Sequence, residues 1–230
     1  MNTNDPGRVL IFGAGGLGRE MLQVLRDIAG AGGAAECLAF VVDPGLAAPE
    51  AVQGVPVRRD AVAMLRSDTG LRVVVALGNP AAREAVAARL AAEAGARFAT
   101  LLHPTAWLGA KVAVGEGSMV FGFSSATTDV RIGQHVLINP GCSIAHDCVL
   151  DDFATLAPAV ALAGGVRVEH GAELGIGARV APRLCIGHGA MVGSGAVVIR
   201  DVAPGATVAG VPARELSCTP TAPGLNARPS

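Results

Sequence analysis

The chain has 230 residues, room for two modest domains, and with 31 Gly, no Tyr and 3% aromatic residues its core of Val, Ile, Leu and Ala suits thin regular layers better than a bulky globule. A formal net charge of -1 argues against a nucleic-acid partner, which would need clustered Lys and Arg. No apolar run approaches the ~20 residues of a membrane span and no apolar signal region follows Met1 to Arg8, so a cytoplasmic protein is expected; the five cysteines (Cys37, Cys142, Cys148, Cys185, Cys218) form no CxxC pair and read as reduced thiols.

The first 105 residues alternate strand-like and helix-like segments. A strand over Arg8–Phe12 leads through Gly13-Ala14-Gly15-Gly16-Leu17-Gly18 into a helix over Leu17–Ile28, followed by a strand over Leu38–Val42. A short helix near Asp60–Arg66, a strand over Arg72–Leu77, a helix over Ala81–Glu93 and a strand over Arg97–Leu102 complete the pattern, which predicts a small parallel sheet of the Rossmann-like α/β class over residues 1–105. The glycine run satisfies GxGxxG after a strand, so backbone N–H groups at the helix start are candidates to hold a diphosphate, with Asp43 at the end of the second strand facing a ribose or base. A glycine turn required only for tight strand–helix packing is the competing explanation.

From Leu108 the rhythm changes to a period of six. Sixteen consecutive hexads run from Leu108 to the one opening at Val198, and only Ala126 departs from Leu, Ile or Val in first position. The fifth position is small or apolar throughout, from Val112 through Cys142 and Cys148 to Val202. One hexad makes one flat side and one corner, three sides make a triangular coil, and about five stacked coils are expected over residues 106–216. Residues 217–230, rich in Pro, Ala, Ser and Thr, read as a flexible tail.

His146 stands at the third position of its hexad, an outward corner where most hexads carry a small residue. One coil away lie Gly164 and Thr128, so an acceptor molecule is expected to use the space over Gly164. A neutral imidazole beside a carboxylate, here Asp147, suits general-base work, whereas His135, His170 and His188 read as solvated corner residues, the last two stacked on each other. Met119, Phe121 and Phe123 form an outward apolar cluster that demands a covering surface.

Gly13-Ala14-Gly15-Gly16, Leu102-His103-Pro104, Ile138-Asn139-Pro140-Gly141, Ala145-His146-Asp147-Cys148, Leu162-Ala163-Gly164-Gly165 and Gly210-Val211-Pro212-Ala213-Arg214 occur in an order that resembles the hexapeptide-repeat acyltransferases of the sialic acid O-acetyltransferase and bacillosamine N-acetyltransferase branch. The resemblance implies a left-handed parallel β-helix behind the Rossmann-like domain, acetyl-CoA as co-substrate, no metal, and a homotrimer. It assigns His146 as catalytic base with Asp147 strengthening it, Thr155, Ile176 and Ser194 to CoA in a groove between subunits, and Gly15, Gly16, Leu17, Asp43 and Asn139 to a nucleotide-linked amino sugar. That family usually has histidine where this chain has Leu17, its bacillosamine members have a second histidine where this chain has Thr155, and its paired acidic residues after the second strand are reduced here to Asp43-Pro44. N-acetylation of the sugar amine is the leading expectation and O-acetylation the near alternative. A zinc-dependent carbonic anhydrase on the same β-helix needs three histidines, and the five present lack the H-x4-H spacing.

Overall fold

The structure, a computed structural model, describes residues 5–216; the tail expected over 217–230 lies outside the described residues. The strands β1 (Gly7–Phe12), β2 (Ala35–Val41), β3 (Ala51–Val52), β4 (Val55–Arg58), β5 (Arg72–Val75) and β6 (Arg97–Phe98) form the N-terminal sheet in the order β3-β4-β2-β1-β5-β6, with β1, β2, β5 and β6 mutually parallel. Its helices are α1 (Gly16–Gly30), α2 (Ala61–Ser67) and α3 (Pro80–Ala94). Helix α1 buries Met21, Leu22, Val24, Leu25 and Ile28, the spacing of an amphipathic helix. Asn79 caps α3 by accepting from the Ala82 N–H at 2.9 Å, Pro80 supplies a fixed φ at its first turn, and Gly95 ends it in the left-handed conformation.

Two local features differ from the sequence expectation. A hairpin of β3 (Ala51–Val52) and β4 (Val55–Arg58) extends the sheet, closed by Gln53 and Gly54 with φ of 50° and 83°, the paired positive angles of a tight hairpin turn. The single strand expected over Arg97–Leu102 is two: β6 pairs with β5, while Leu101–Leu102 pairs with Met119–Val120 and already belongs to the next domain. The β-helix thus begins one hexad before Leu108.

In that domain three parallel sheets form a triangular prism. The first face stacks Leu101–Leu102, Met119–Val120, Leu137–Ile138, Thr155–Leu156, Glu173–Leu174, Met191–Val192 and Thr207–Ala209, closed by the antiparallel Arg214–Glu215. The second runs from Trp107–Leu108 through Ser143–Ile144 to Val197–Val198, and the third from Ala113–Val114 through Val149–Leu150 to Cys185–Ile186. Partners lie 18 residues apart, as in Ile138↔Leu156, so first and fifth positions of successive hexads stack into one apolar column. The last coil is shorter: Val202 faces Ile186 and Val208 faces Val192, a separation of 16, so Val202 takes a first-position role rather than the fifth position expected for it.

All 15 fourth positions from Lys111 to Gly195 adopt positive φ, and eight of them are not glycine. The corner is therefore imposed by stacking and not by residue type, since Phe123, His135, Phe153 and Arg183 accept a conformation that costs an L-residue about 1–2 kcal/mol.

The two domains share a core. Met119, Phe121 and Leu137 of the first face pack in one cluster with Met21, Leu25 and Ile28 of α1. The apolar cluster expected to need a covering surface is covered by the chain's own N-terminal domain at Met119 and Phe121, and Phe123 remains exposed, at 80%. His103 adds a polar tie, its Nε2 lying 3.0 Å from the Asp27 carboxylate of α1, and that carboxyl is held below its ordinary range by the hydrogen bond from Gln23 first and by His103 second.

Candidate active site

His146 lies at the corner between the second and third faces. Asp147 takes φ of 62° at the fourth position, and this turn brings its carboxylate beside the preceding ring, with Oδ2 at 2.8 Å from His146 Nδ1. A carboxylate accepting from Nδ1–H leaves the lone pair on Nε2, and Nε2 has no protein hydrogen-bond partner among the described residues. The ring lies over Gly164: a Cβ there would stand 2.5 Å from Cε1 and 2.6 Å from Nε2. The missing side chain makes room for the imidazole itself, not for an acceptor as the sequence suggested. Asp147 also lines an open hollow of about 430 Å³ with Lys111, Asp129, Arg131 and Val149.

On the opposite edge of the second face is a groove of about 520 Å³ between α1 and the first face. It gathers Leu17, Asn139, Thr155, Ile176 and Ser194, five of the residues singled out from sequence, with Glu20 and Glu173. Asn139 is fixed by donating from Nδ2 to the Leu156 carbonyl at 2.8 Å, and Ile176 is exposed. Thr155, in contrast, is buried, and its hydroxyl accepts from Arg83 Nη2 at 2.8 Å.

The glycine run divides by function. Gly13 and Gly18 are demanded by packing, since a Cβ would come within 2.9 Å of the Ala76 carbonyl oxygen and 2.1 Å of the Gly13 carbonyl oxygen respectively. Gly15 and Gly16 meet nothing within 4 Å and open the N-terminus of α1, where Gly15 provides no side-chain cap. Asp43 lies apart from this groove, in a hollow of about 210 Å³ with Phe12, Pro44 and Arg59, and its carboxylate is engaged by Arg89 at 2.5 Å. Within one chain, then, neither His146 nor Asp43 joins the groove that holds Leu17 and Thr155.

Of the other histidines, His170 stacks on His188 with centroids 5.3 Å apart and pairs with Glu84 at 3.1 Å. His135 departs from the solvated role expected of it: it is buried between Phe98 and Phe153, and burial together with the Arg83 cation pulls its imidazole down to about 4. Among the described residues no group of three His, Cys, Asp or Glu side chains is placed to hold a metal ion, and no helix is long and apolar enough to cross a membrane.

Comparison with known proteins supplies the family. Residues 8–90 match the PglD N-terminal domain. GDP-perosamine N-acetyltransferase of Escherichia coli O157:H7 is 33% identical over 217 residues, covering 92% of this chain and 97% of that protein. The chain belongs to the hexapeptide-repeat acetyltransferase family of this enzyme. Within the family, PerB from Caulobacter crescentus, solved with CoA and GDP-perosamine, superposes with a TM-score of 0.82 at 36% identity, covering 92% of this chain and 98% of PerB. Perosamine N-acetyltransferase of that organism was also solved, with the same ligands, with one histidine replaced by Asn or Ala. The acetyltransferase domain of PglB from Neisseria gonorrhoeae FA1090, solved with acetyl coenzyme A, has a TM-score of 0.79 at 29% identity, covering 91% of this chain and 98% of that domain.

Sequence reasoning missed Arg83, Glu173 and Glu20. A signal for Arg83 existed: Pro80, Arg83, Ala87 and Leu90 are the buried residues of α3, so the arginine falls on the helix's inward stripe. Glu173 and Glu20 carry no such signal, because an outward residue of a hexad and an exposed helix residue are ordinary places for a carboxylate.

Proposed function

We propose that this member of the acetyltransferase family transfers the acetyl group of acetyl-CoA to the amino group of a nucleotide-linked amino sugar, with His146 as general base, in a cytoplasmic homotrimer. The carrying observation is the His146–Asp147 pair, which leaves an Nε2 lone pair at an outward corner with no partner among the described residues. Nε2 takes the amine proton as the nitrogen attacks the thioester carbonyl carbon. The tetrahedral adduct collapses with cleavage of the C–S bond, and the imidazolium returns the proton to the departing thiolate. Thr155, Ile176 and Ser194 are assigned to CoA, and Gly15, Gly16, Leu17, Asp43 and Asn139 to the nucleotide sugar.

A trimer resolves the separation of the two halves. One side of the prism, about four extended residues or ~13 Å, divides His146 from the groove, too far for a base to act on an acceptor bound there. In a ring of three copies packed on their second faces, the His146 edge of one copy meets the groove edge of the next. Support comes from the small outward residues Ser125, Ser143 and Ala161 on that face, which permit close approach, and from exposed Trp107 and Phe123 at one end of it. The domains are assigned as a nucleotide-sugar-binding N-terminal unit and a catalytic β-helix, divided near residue 100, where the strands part company, in place of residue 105.

The test is a screen of GDP-, UDP- and dTDP-linked amino sugars with acetyl-CoA, following thiol release. GDP-perosamine, bound by the Caulobacter protein, is the first acceptor to try. Turnover of at least one acceptor, lost in His146→Ala by ~10²-fold or more, is expected. No turnover with any of them contradicts the proposal.

A further inference from the structure

The groove between α1 and the first face has a buried cation behind its wall, used by none of the roles above. Arg83 of α3 is fully buried, and each of its five guanidinium N–H groups has an acceptor. Nε donates to the His135 carbonyl at 3.0 Å, Nη1 to the Leu77 and Gly78 carbonyls at 2.8 and 2.9 Å, and Nη2 to the Phe153 carbonyl at 2.7 Å and to the Thr155 hydroxyl at 2.8 Å. None of the five is a carboxylate. Burial pulls the guanidinium down to about 10, against the favourable field of Glu173, so it is still protonated at neutral pH.

Such a cation is costly to bury: two of its bonds stay within the N-terminal domain, at Leu77 and Gly78, and two tie it to backbone carbonyls of the β-helix, at His135 and Phe153. The fifth fixes a side chain that lines the groove. Because Thr155 Oγ1 accepts from Nη2, its lone pairs face the arginine and its own proton faces away, and among the described residues that proton has no acceptor. A hydroxyl that receives a charge-assisted hydrogen bond is also a stronger donor than a free one.

We propose that Arg83 is a positioning residue for acyl transfer: it holds the Thr155 hydroxyl with its proton aimed into the groove, where it donates to the thioester carbonyl oxygen of the bound acyl group. The inference rests on the reading that this groove takes acetyl-CoA. As the amine attacks, the C=O electron pair moves onto that oxygen; the Thr155 proton stabilises it there and stays on the hydroxyl, and the pair returns when the C–S bond breaks. Donation to the developing charge affects turnover and not ground-state binding, which separates this role from a structural one.

The experiment measures kcat, both KM values and CoA affinity for Thr155→Val, Thr155→Ser, Arg83→Lys and the double variant Arg83→Lys/Thr155→Val, with thermal melts to confirm folding. Thr155→Val is expected to lose ~10²-fold in kcat with little change in CoA affinity, and Thr155→Ser to recover most of that loss. Arg83→Lys should also lower kcat, yet add little on top of Thr155→Val, since it acts through the same hydroxyl. A folded, CoA-binding Thr155→Val variant with parental kcat overturns the proposal, as do fully additive effects in the double variant. If Arg83→Lys does not fold, the Thr155 pair decides alone. His146→Ala is measured alongside: activity lost there but kept in Thr155→Val overturns this inference only, activity kept in both overturns the general-base assignment of His146 as well, and no turnover by the parent chain overturns the acyl-transfer reading.

Discussion

Gly164→Ala isolates the placement of the candidate base from the stability of the fold. The added Cβ would lie 2.5 Å from His146 Cε1 and 2.6 Å from Nε2, about 1 Å inside ordinary carbon contact, so the imidazole must move by about that much. The ring is able to move, because the His146 side chain is 63% exposed and its one hydrogen-bond partner among the described residues is the similarly exposed Asp147. Gly164 itself is not in the left-handed region, so alanine is compatible with its backbone and removes unfolded-state freedom, a gain of about 0.4–1 kcal/mol. The expected variant is therefore as stable as the parent or slightly more so, binds CoA normally, and turns over roughly 10- to 10²-fold more slowly, the scale of loss from a 1 Å misplacement of a reacting group. A thiol-release assay beside a thermal melt reads both quantities. A kcat within twofold of the parent would refute the idea that the ring over Gly164 is in its working position.

Asp147→Asn is expected to lower kcat by about 10-fold or more without changing CoA affinity, because an amide no longer holds the proton on Nδ1; the loss should be smaller than the ~10⁴ of a buried triad carboxylate, and steady-state kinetics checks it. His135 makes the fold acid-sensitive: its folded value of about 4 lies below the ordinary 6.5, so the unfolded chain binds a proton first, and stability that is full above pH 6.5 is lost progressively towards pH 4, by up to ~3 kcal/mol. Denaturant titrations across that range should show the slope, and His135→Asn, which tolerates the positive φ at that corner, should flatten it. Removing residues 1–99 uncovers Met119, Phe121 and Leu137, each worth about 1.5–3 kcal/mol of apolar burial, so the isolated β-helix is expected to self-associate non-specifically, and a monodisperse, soluble fragment by sedimentation would contradict the shared core.

The prism was readable because each hexad sends one residue inward, so a period of six in Val, Ile and Leu survives almost any choice at the corners. The corners themselves were not: left-handed φ at Phe123, His135 and Arg183 is imposed by the stack, and these residues carry no turn signal. Periodicity also marks Met119 and Phe121 as an apolar outer patch but does not say what covers it, and the cover is α1. His146 was visible as a titratable side chain at a corner where small residues prevail, whereas the relation of its ring to Gly164 depends on a rotamer. The inward stripe of α3 holds a signal for Arg83 itself but none for its partners, backbone carbonyls 52 and 70 residues away that leave no trace in composition or spacing.

The most direct test of the account is the position of the transferred acetyl group on the product. Incubation of the full chain with acetyl-CoA and a GDP-linked 4-amino sugar, followed by NMR of the purified nucleotide sugar, should give an amide at the sugar nitrogen and no product from His146→Ala. An acetyl ester on a sugar hydroxyl, or amide formed at the parental rate by His146→Ala, would contradict it.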